Sequence, residues 1–178
     1  MTNPVMPQPG IEALLDQMNG AAFPTNIIEI AAMRFELLDL DFNVVKRMPS
    51  TDDPNYTLGI VPVVKAPQPD TAEIAGRHTF QGATISEYLL CFYAFVKDAD
   101  RERGLAAHSV MAEIVEDILA SDQALRESLG VLEATVMGQK KRMQRYYIRN
   151  TRYLARDIDG SNMFMSATEV VFEVEKVR

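Results

Sequence analysis

The chain is poor in the residues that carry covalent and metal chemistry. It has one cysteine, two histidines and no tryptophan in 178 residues. A lone thiol, Cys91, cannot form an internal disulfide, which points to maturation in a reducing cytoplasm. Cys91 lies in the most apolar stretch and is expected to be a small buried hydrophobe, not a nucleophile. His78 and His108 show no HExxH-type spacing and have no cysteine pair to share a zinc ion. GxGxxG, GxxxxGK[ST] and GxSxG are all absent. Without a nucleophile, a base and a group to orient it, an enzyme is not expected, and no cofactor is implied. No apolar run reaches the roughly 18 residues of a membrane-spanning helix. The first residues lack the basic start and apolar segment of a signal peptide. Proline is missing from the whole chain after Pro69.

Charge is short of one sign in an uneven way. The net charge of -7 argues against a dedicated nucleic-acid binder. Yet Lys140 to Arg156 holds seven of the 18 basic residues and no acid, so the rest of the chain is strongly acidic. Such polarity suits a subunit that meets neighbours through complementary patches, with a solvated face as the plainer alternative. Arg142, Arg145, Arg149, Arg152 and Arg156 are interleaved with Tyr146, Tyr147 and Tyr153. Single-strand binders use that composition, and so do protein interfaces. The acidic net charge favours the interface.

What is present reads as one α+β domain. The length allows a single domain with a real core. Pro4, Pro7 and Pro9 predict an extended N-terminal arm over residues 1–25, with two helical turns possible at Ile11 to Met18. Residues 26–178 then form the domain. Asn26 and Glu29 stand at capping-box spacing ahead of a helix over 26–39. Phe42 to Lys46 suggests a short strand, and Pro49 to Asn55 a turn-rich loop. Tyr56 to Val64 reads as a strand with an edge or bulge at Pro62. Arg77 to Ala83 gives a weak strand or a bulged loop.

The longest apolar stretch, Tyr88 to Val96, lies in a central strand over Ile85 to Lys97. Its apolar residues on both faces predict cover on both, by a helix on one side and another sheet or subunit on the other. Asp98 or Asp100 caps the main helix, whose apolar stripe runs through Leu105, His108, Met111, Val115 and Ile118. A buried histidine is expected at 108. Ser121 to Gly130 gives a turn and a short helix, and Val131 to Met137 a strand. The arginines of Lys140 to Arg156 recur at helical spacing, but Asp159-Gly160 is a hairpin signal and demands a strand before it. A strand over Arg145 to Arg156 is the reading taken. Met163 to Val177 is its partner, with Val170, Phe172 and Val174 on one face and Glu169, Glu173 and Glu175 on the other. The architecture expected is a mixed, mostly antiparallel sheet flanked by two main helices.

Two acidic groups invite a chemical reading. Glu113, Glu116 and Asp117 fall at i, i+3 and i+4 on the polar face of the main helix; a solvated face outweighs a cation site there. Asp52-Asp53 sits in the proline loop, where turn chemistry is the better account.

The order of these elements, with Thr51-Asp-Asp-Pro-Asn-Tyr-Thr-Leu-Gly-Ile60, resembles the tail terminator (tail-completion) proteins of long-tailed bacteriophages, especially those of actinobacteria. Glu87-Tyr88, Asp98-Ala-Asp100, Ala107-His-Ser109, Ile118 to Asp122, Leu125-Arg126, Arg149 to Leu154 and Asp159-Gly160 continue the likeness over residues 26–177. The resemblance implies a mixed α/β subunit of a hexameric ring. Such a ring caps the tail tube, stops its polymerisation and joins it to the head connector or stopper protein, while DNA passes through the lumen without sequence-specific binding. It implies a virion protein at the head–tail junction, assembled in the host cytoplasm, with itself, the major tail tube protein and the connector as partners. It implies no membrane and no catalytic residues. The charges suggest subunit contacts between Arg142 to Arg156 and the acids Glu113, Glu116 and Asp117. A stopper or adaptor plugging a pore with Pro67 to Gly82, a nucleic-acid module built on residues 140–156, and a small metal-using enzyme are the competing readings.

Overall fold

The computed structural model describes residues 9–22, 25–36, 42–65, 79–80, 83–121, 123–130, 132–136, 139–158 and 160–177. In chain order the elements are α1 (Pro9–Ala22), α2 (Thr25–Glu36), β1 (Phe42–Val45), β2 (Tyr56–Lys65), β3 (Thr79–Phe80), β4 (Ala83–Asp98), α3 (Arg101–Ser121), α4 (Gln123–Gly130), β5 (Glu133–Val136), β6 (Gln139–Ile158) and β7 (Ser161–Val177). All the strands join one mixed sheet in the order β1-β2-β4-β7-β6-β5, with β3 pairing the start of β4. Among the described strands only the β1–β2 pair is parallel. The class is α+β, as the sequence implies.

Three long strands form the spine. β4 pairs β7 without a slip from Thr84↔Lys176 to Asp98↔Asn162. β7 pairs β6 from Val177↔Lys140 to Ser161↔Ile158. Gly160 lies in the turn between β6 and β7 and takes φ +75°, a left-handed angle that glycine adopts without steric cost. The strand expected at Arg145 to Arg156 is real and longer at both ends.

Strict alternation decides which face is core. Tyr88, Leu90, Phe92, Ala94 and Val96 of β4 are buried, and so are Phe164, Val170, Phe172 and Val174 of β7. Register places Tyr88 beside Phe172, Leu90 beside Val170 and Val96 beside Phe164, so these residues share one face. α3 lies on it through Ala107, Met111, Ile114, Val115, Ile118 and Leu119. Leu105, the first residue of the expected stripe, stays exposed at its end.

The start of α3 is locked to the sheet. Asp100 accepts from the backbone N–H groups of Glu102 and Arg103 and is the cap. Asp98, at the end of β4, accepts from Arg103 Nε at 2.8 Å and Nη2 at 2.7 Å, from the Tyr56 hydroxyl at 2.9 Å, and from the Asp100 N–H at 2.9 Å. One buried carboxylate therefore ties β2, β4 and α3 together.

Two expectations are corrected. Residues 9–22 are not an extended arm: Pro9 opens helix α1, where its fixed φ and missing N–H cost nothing. Leu14 and Met18, one helical turn apart, are both 0% exposed and belong to the core, and Asn19 Oδ1 accepts the Val63 N–H at 2.6 Å. Residues 1–8 lie outside the described residues. The second correction concerns Cys91 of β4, expected as a buried hydrophobe. Within the described residues helices cover one face only; the other is covered at one end, where the loop before β2 folds over Gly59 and brings the Pro49 ring against it. Cys91 falls on that second face by parity and is half-buried, not core. The bulge expected at Pro62 is present, as a register shift between Val61 and Val64.

Candidate interface

The helix-free face of the sheet is built from the odd-numbered positions of β4 and β7. Leu89 lies beside Val171, Cys91 beside Glu169, Tyr93 beside Ala167 and Phe95 beside Met165. Phe95 and Val171 are buried on this face, and the others are half-buried. The face is thus apolar along its middle, with carboxylates of Glu87, Glu169 and Glu173 toward one end.

β6 answers those carboxylates with arginines. Arg145 donates from Nε to Glu173 at 2.6 Å and from Nη2 at 2.9 Å, and its guanidinium lies 5.3 Å from the centre of the Tyr147 ring. Arg149 reaches Glu87 and Glu169, each at 3.4 Å. Arg142 and Lys140 converge on Glu133 of β5 at 2.6 and 2.8 Å and hold its carboxyl below the usual carboxylate range.

Two bulges explain the spacing of these arginines. The β6–β7 register shifts between Met143 and Arg145 and again between Ile148 and Asn150. Each bulge adds one residue and reverses the parity that follows. The three-residue steps from 142 to 145 and from 149 to 152 therefore return to the same face as the four-residue steps do. A pattern that looks helical is the pattern of a one-sided strand with two bulges.

The other candidate residues separate. Tyr146 points the opposite way from Tyr147, with its ring centre 6.1 Å from that of Phe172 at the core edge. Arg152 and Arg156 stand opposite Ala167 and Met163 in register; their side chains lie outside the described residues. Glu113, Glu116 and Asp117 are exposed on α3. Asp117 pairs with Arg34 of α2 at 3.2 Å, which puts the acidic stripe on the α2 side of the molecule. One chain therefore does not bring the acids and the β6 arginines together. No group of three or more His, Cys, Asp or Glu that could hold a metal ion occurs among the described residues. No helix there is long and apolar enough to cross a membrane. Pro67 to Gly82, the expected pore plug, lies outside the described residues except for Thr79 and Phe80.

His108 is buried between α3 and β7, where Nε2 lies 3.0 Å from the Ser166 hydroxyl. Tyr153 of β6 meets the imidazole edge-on at 5.3 Å. Burial pushes the His108 pKa down, so the ring is neutral near pH 7. Asp53 in the loop before β2 accepts from Arg47 at 2.8 and 2.6 Å and from the Ser50 N–H at 2.7 Å. The Arg47 hydrogen bonds and that N–H hold its carboxyl at about 2. Asp53 is turn chemistry, as its place before Pro54 suggests.

Parity along β4 was the signal for the helix-free face. Leu89, Cys91, Tyr93 and Phe95 alternate with the core set, and so long a doubly apolar strand has two surfaces to cover. No protein-family model matches the chain. No curated protein matches it either. Among solved structures it is similar to a chain of the "Virion of native gene transfer agent (GTA) particle", at 11% identity over 97% of this chain and 98% of that one, with a TM-score of 0.34.

Proposed function

We propose that the chain is a structural virion subunit of the tail-terminator type. Copies form a ring, six-membered as in the family that the sequence resembles, which caps the tail tube, ends its polymerisation and joins it to the head connector. The observation that carries this reading is the helix-free face: a long sheet whose second face, half-buried and apolar through Leu89 and Met165, has no helix over it among the described residues. A subunit made to be completed by neighbours has that form. Lys140 and Arg142 pair with Glu133, Arg145 with Glu173 and Arg149 with Glu169, so at least four of the seven β6 cations are engaged within the chain, which favours a protein interface over a phosphate-binding groove. Acidic residues elsewhere would line a lumen through which DNA slides without releasing counterions onto the wall.

The test is to mix the purified protein with tail tubes and image them. Density of six-fold symmetry on one end of each tube is the expected result. Bare tubes, together with a DNA gel shift that collapses between low and moderate salt, would replace this reading with a nucleic-acid module.

A further inference from the structure

The two edges of the sheet have the character of two halves of one contact. β5 pairs Gln139 to Arg142 of β6 and the Leu132 carbonyl accepts the Met143 N–H, so among the described residues the outer edge of β6 has no strand partner from Gln144 to Ile158. The bulges fall in its first half. From Asn150 to Ile158 the register with β7 is regular, so this stretch is straight enough to receive another strand. At the opposite edge, β1 is the last strand and nothing described pairs on its outer side.

Exposed apolar side chains gather at these two edges. Among the described residues the large exposed hydrophobics are Ile148 (45%), Tyr153 (54%) and Leu154 (37%) of β6, Leu105 (44%) one turn before the Tyr153 partner His108, and Met33 (57%), Met48 (50%) and Val64 (50%). The last three belong to α2, to the loop after β1 and to the part of β2 that extends past β1. The first group therefore lies beside the β6 edge and the second beside the β1 edge.

Charge divides the same way. Arg152 and Arg156 stand opposite Ala167 and Met163, so no acid of β7 faces them in register. On the β1 side, Glu29 and Glu36 of α2 and Glu113 of α3 are exposed and make no ion pair among the described residues. Glu113 shares its helical stripe with Asp117, which Arg34 ties to α2.

We infer that the partner of the β6 edge is the β1–α2 flank of a second copy of this chain. The contact is heterologous: residues 150–158 of one copy lie along β1 of the next, Ile148, Tyr153 and Leu154 cover Met33 and Met48, and the strand positions of Arg152 and Arg156 run along the acidic flank that carries Glu29, Glu36 and Glu113. Each copy carries one edge of each kind, so a joined pair still offers one of each, and the contact repeats and closes into a ring, or runs on as a filament. The basic side chains and bulges of β6 guard that edge against indiscriminate strand pairing. This contact gives the proposed terminator ring its subunit interface and rests on that reading only for the closure into a ring.

Two variants test it. Ile148→Glu with Leu154→Glu spoils the β6 edge, and Met33→Lys spoils the β1 flank. All three positions are exposed, so both variants should keep the wild-type circular-dichroism spectrum and melting temperature. Sedimentation and native mass spectrometry then read the assembly. The expected result is a closed oligomer for the wild type, only the 19.9 kDa monomer for each variant alone, and a dimer and nothing larger for their equimolar mixture. That dimer follows because each variant still offers the edge the other lacks.

Assembly of either variant at the wild-type size would overturn the inference, as would monomers in the mixture. A wild type that stays monomeric at its highest soluble concentration and forms no ring on tube ends would overturn it as well. Wild-type rings that ignore tail tubes would leave the edge contact standing and remove the terminator function. Capping of tubes by wild type and both variants alike would do the reverse.

Discussion

His108 Nε2 lies 3.0 Å from the Ser166 hydroxyl, beneath the main helix and beside Tyr153. Burial disfavours the imidazolium, so the folded-state pKa lies below that of the unfolded chain. The unfolded state therefore binds more protons in the window between the two values. His108 adds stability that is fully present above the unfolded pKa, about 6.5, and is lost as pH falls toward the folded value. Urea midpoints measured at pH 7.5 and 5.5 should fall on acidification in the wild type and fall less in His108→Gln. Equal pH slopes would show that the ring does not titrate with folding.

Asp98 makes a second, deeper pH-dependent contact. The Arg103 hydrogen bonds hold its carboxyl well below the usual carboxylate range, against the opposing effect of burial. Its contribution is present above about pH 3.9, the unfolded value, and disappears as pH falls toward the folded one. Asp98→Ala removes the acceptor of Tyr56, Arg103 and the Asp100 N–H together. Hydrogen bonds to a charged group are worth about 1.5–3 kcal/mol, and Arg103 is largely exposed, so a loss of about 2–3 kcal/mol is expected from denaturant titration at pH 7. Tyr56→Phe removes a single donor and should cost about 1 kcal/mol.

The first helix gives a sharper contrast between sequence and structure. Leu14 and Met18 are fully buried against the β2, β5 and α4 region. Leu14→Ala should cost about 2–5 kcal/mol by thermal or urea unfolding, the range for emptying a core leucine site. A change below 0.5 kcal/mol, the size of a surface substitution, would mean that α1 is an appendage after all.

These three sites show how much the sequence held. The long apolar strand, the main helix with its Asp100 cap and the Asp159-Gly160 hairpin were legible because each carries a local signal: a two-residue alternation, an acceptor before an apolar stripe, a glycine where φ is positive. α1 was half legible. Three prolines argued for an extended arm, but Pro9 stands at the one helical position that tolerates it. The β6 arginines misled in spacing because two bulges, set by tertiary pairing, turn steps of three and four into one face. The acids of α3 were legible as exposed but not as distant from β6. Their direction depends on the Arg34–Asp117 contact, which joins helices 83 residues apart.

Gly59 supports the last prediction. Its position faces the helix-free side of β2, beside Tyr93, where the loop before β2 crosses the sheet. A Cβ there would sit 2.5 Å from the Arg47 carbonyl oxygen and closer still to the Pro49 ring. Neither can yield easily: one is backbone, and the other is a buried ring whose main chain leads into the Ser50–Asp53 turn. Gly59→Ala must therefore lift the loop, and with it the Arg47–Asp53 pair, from the end of the sheet. Overpacking of this kind costs about 1–3 kcal/mol. Hydrogen exchange gives the more specific readout. The Asp53 and Lys97 amides, which donate to the Ser50 and Asn55 carbonyls, should lose protection while the Gly104 amide in the α3 turn keeps its own. Uniform loss of protection would instead mean that the loop and the sheet open as one unit.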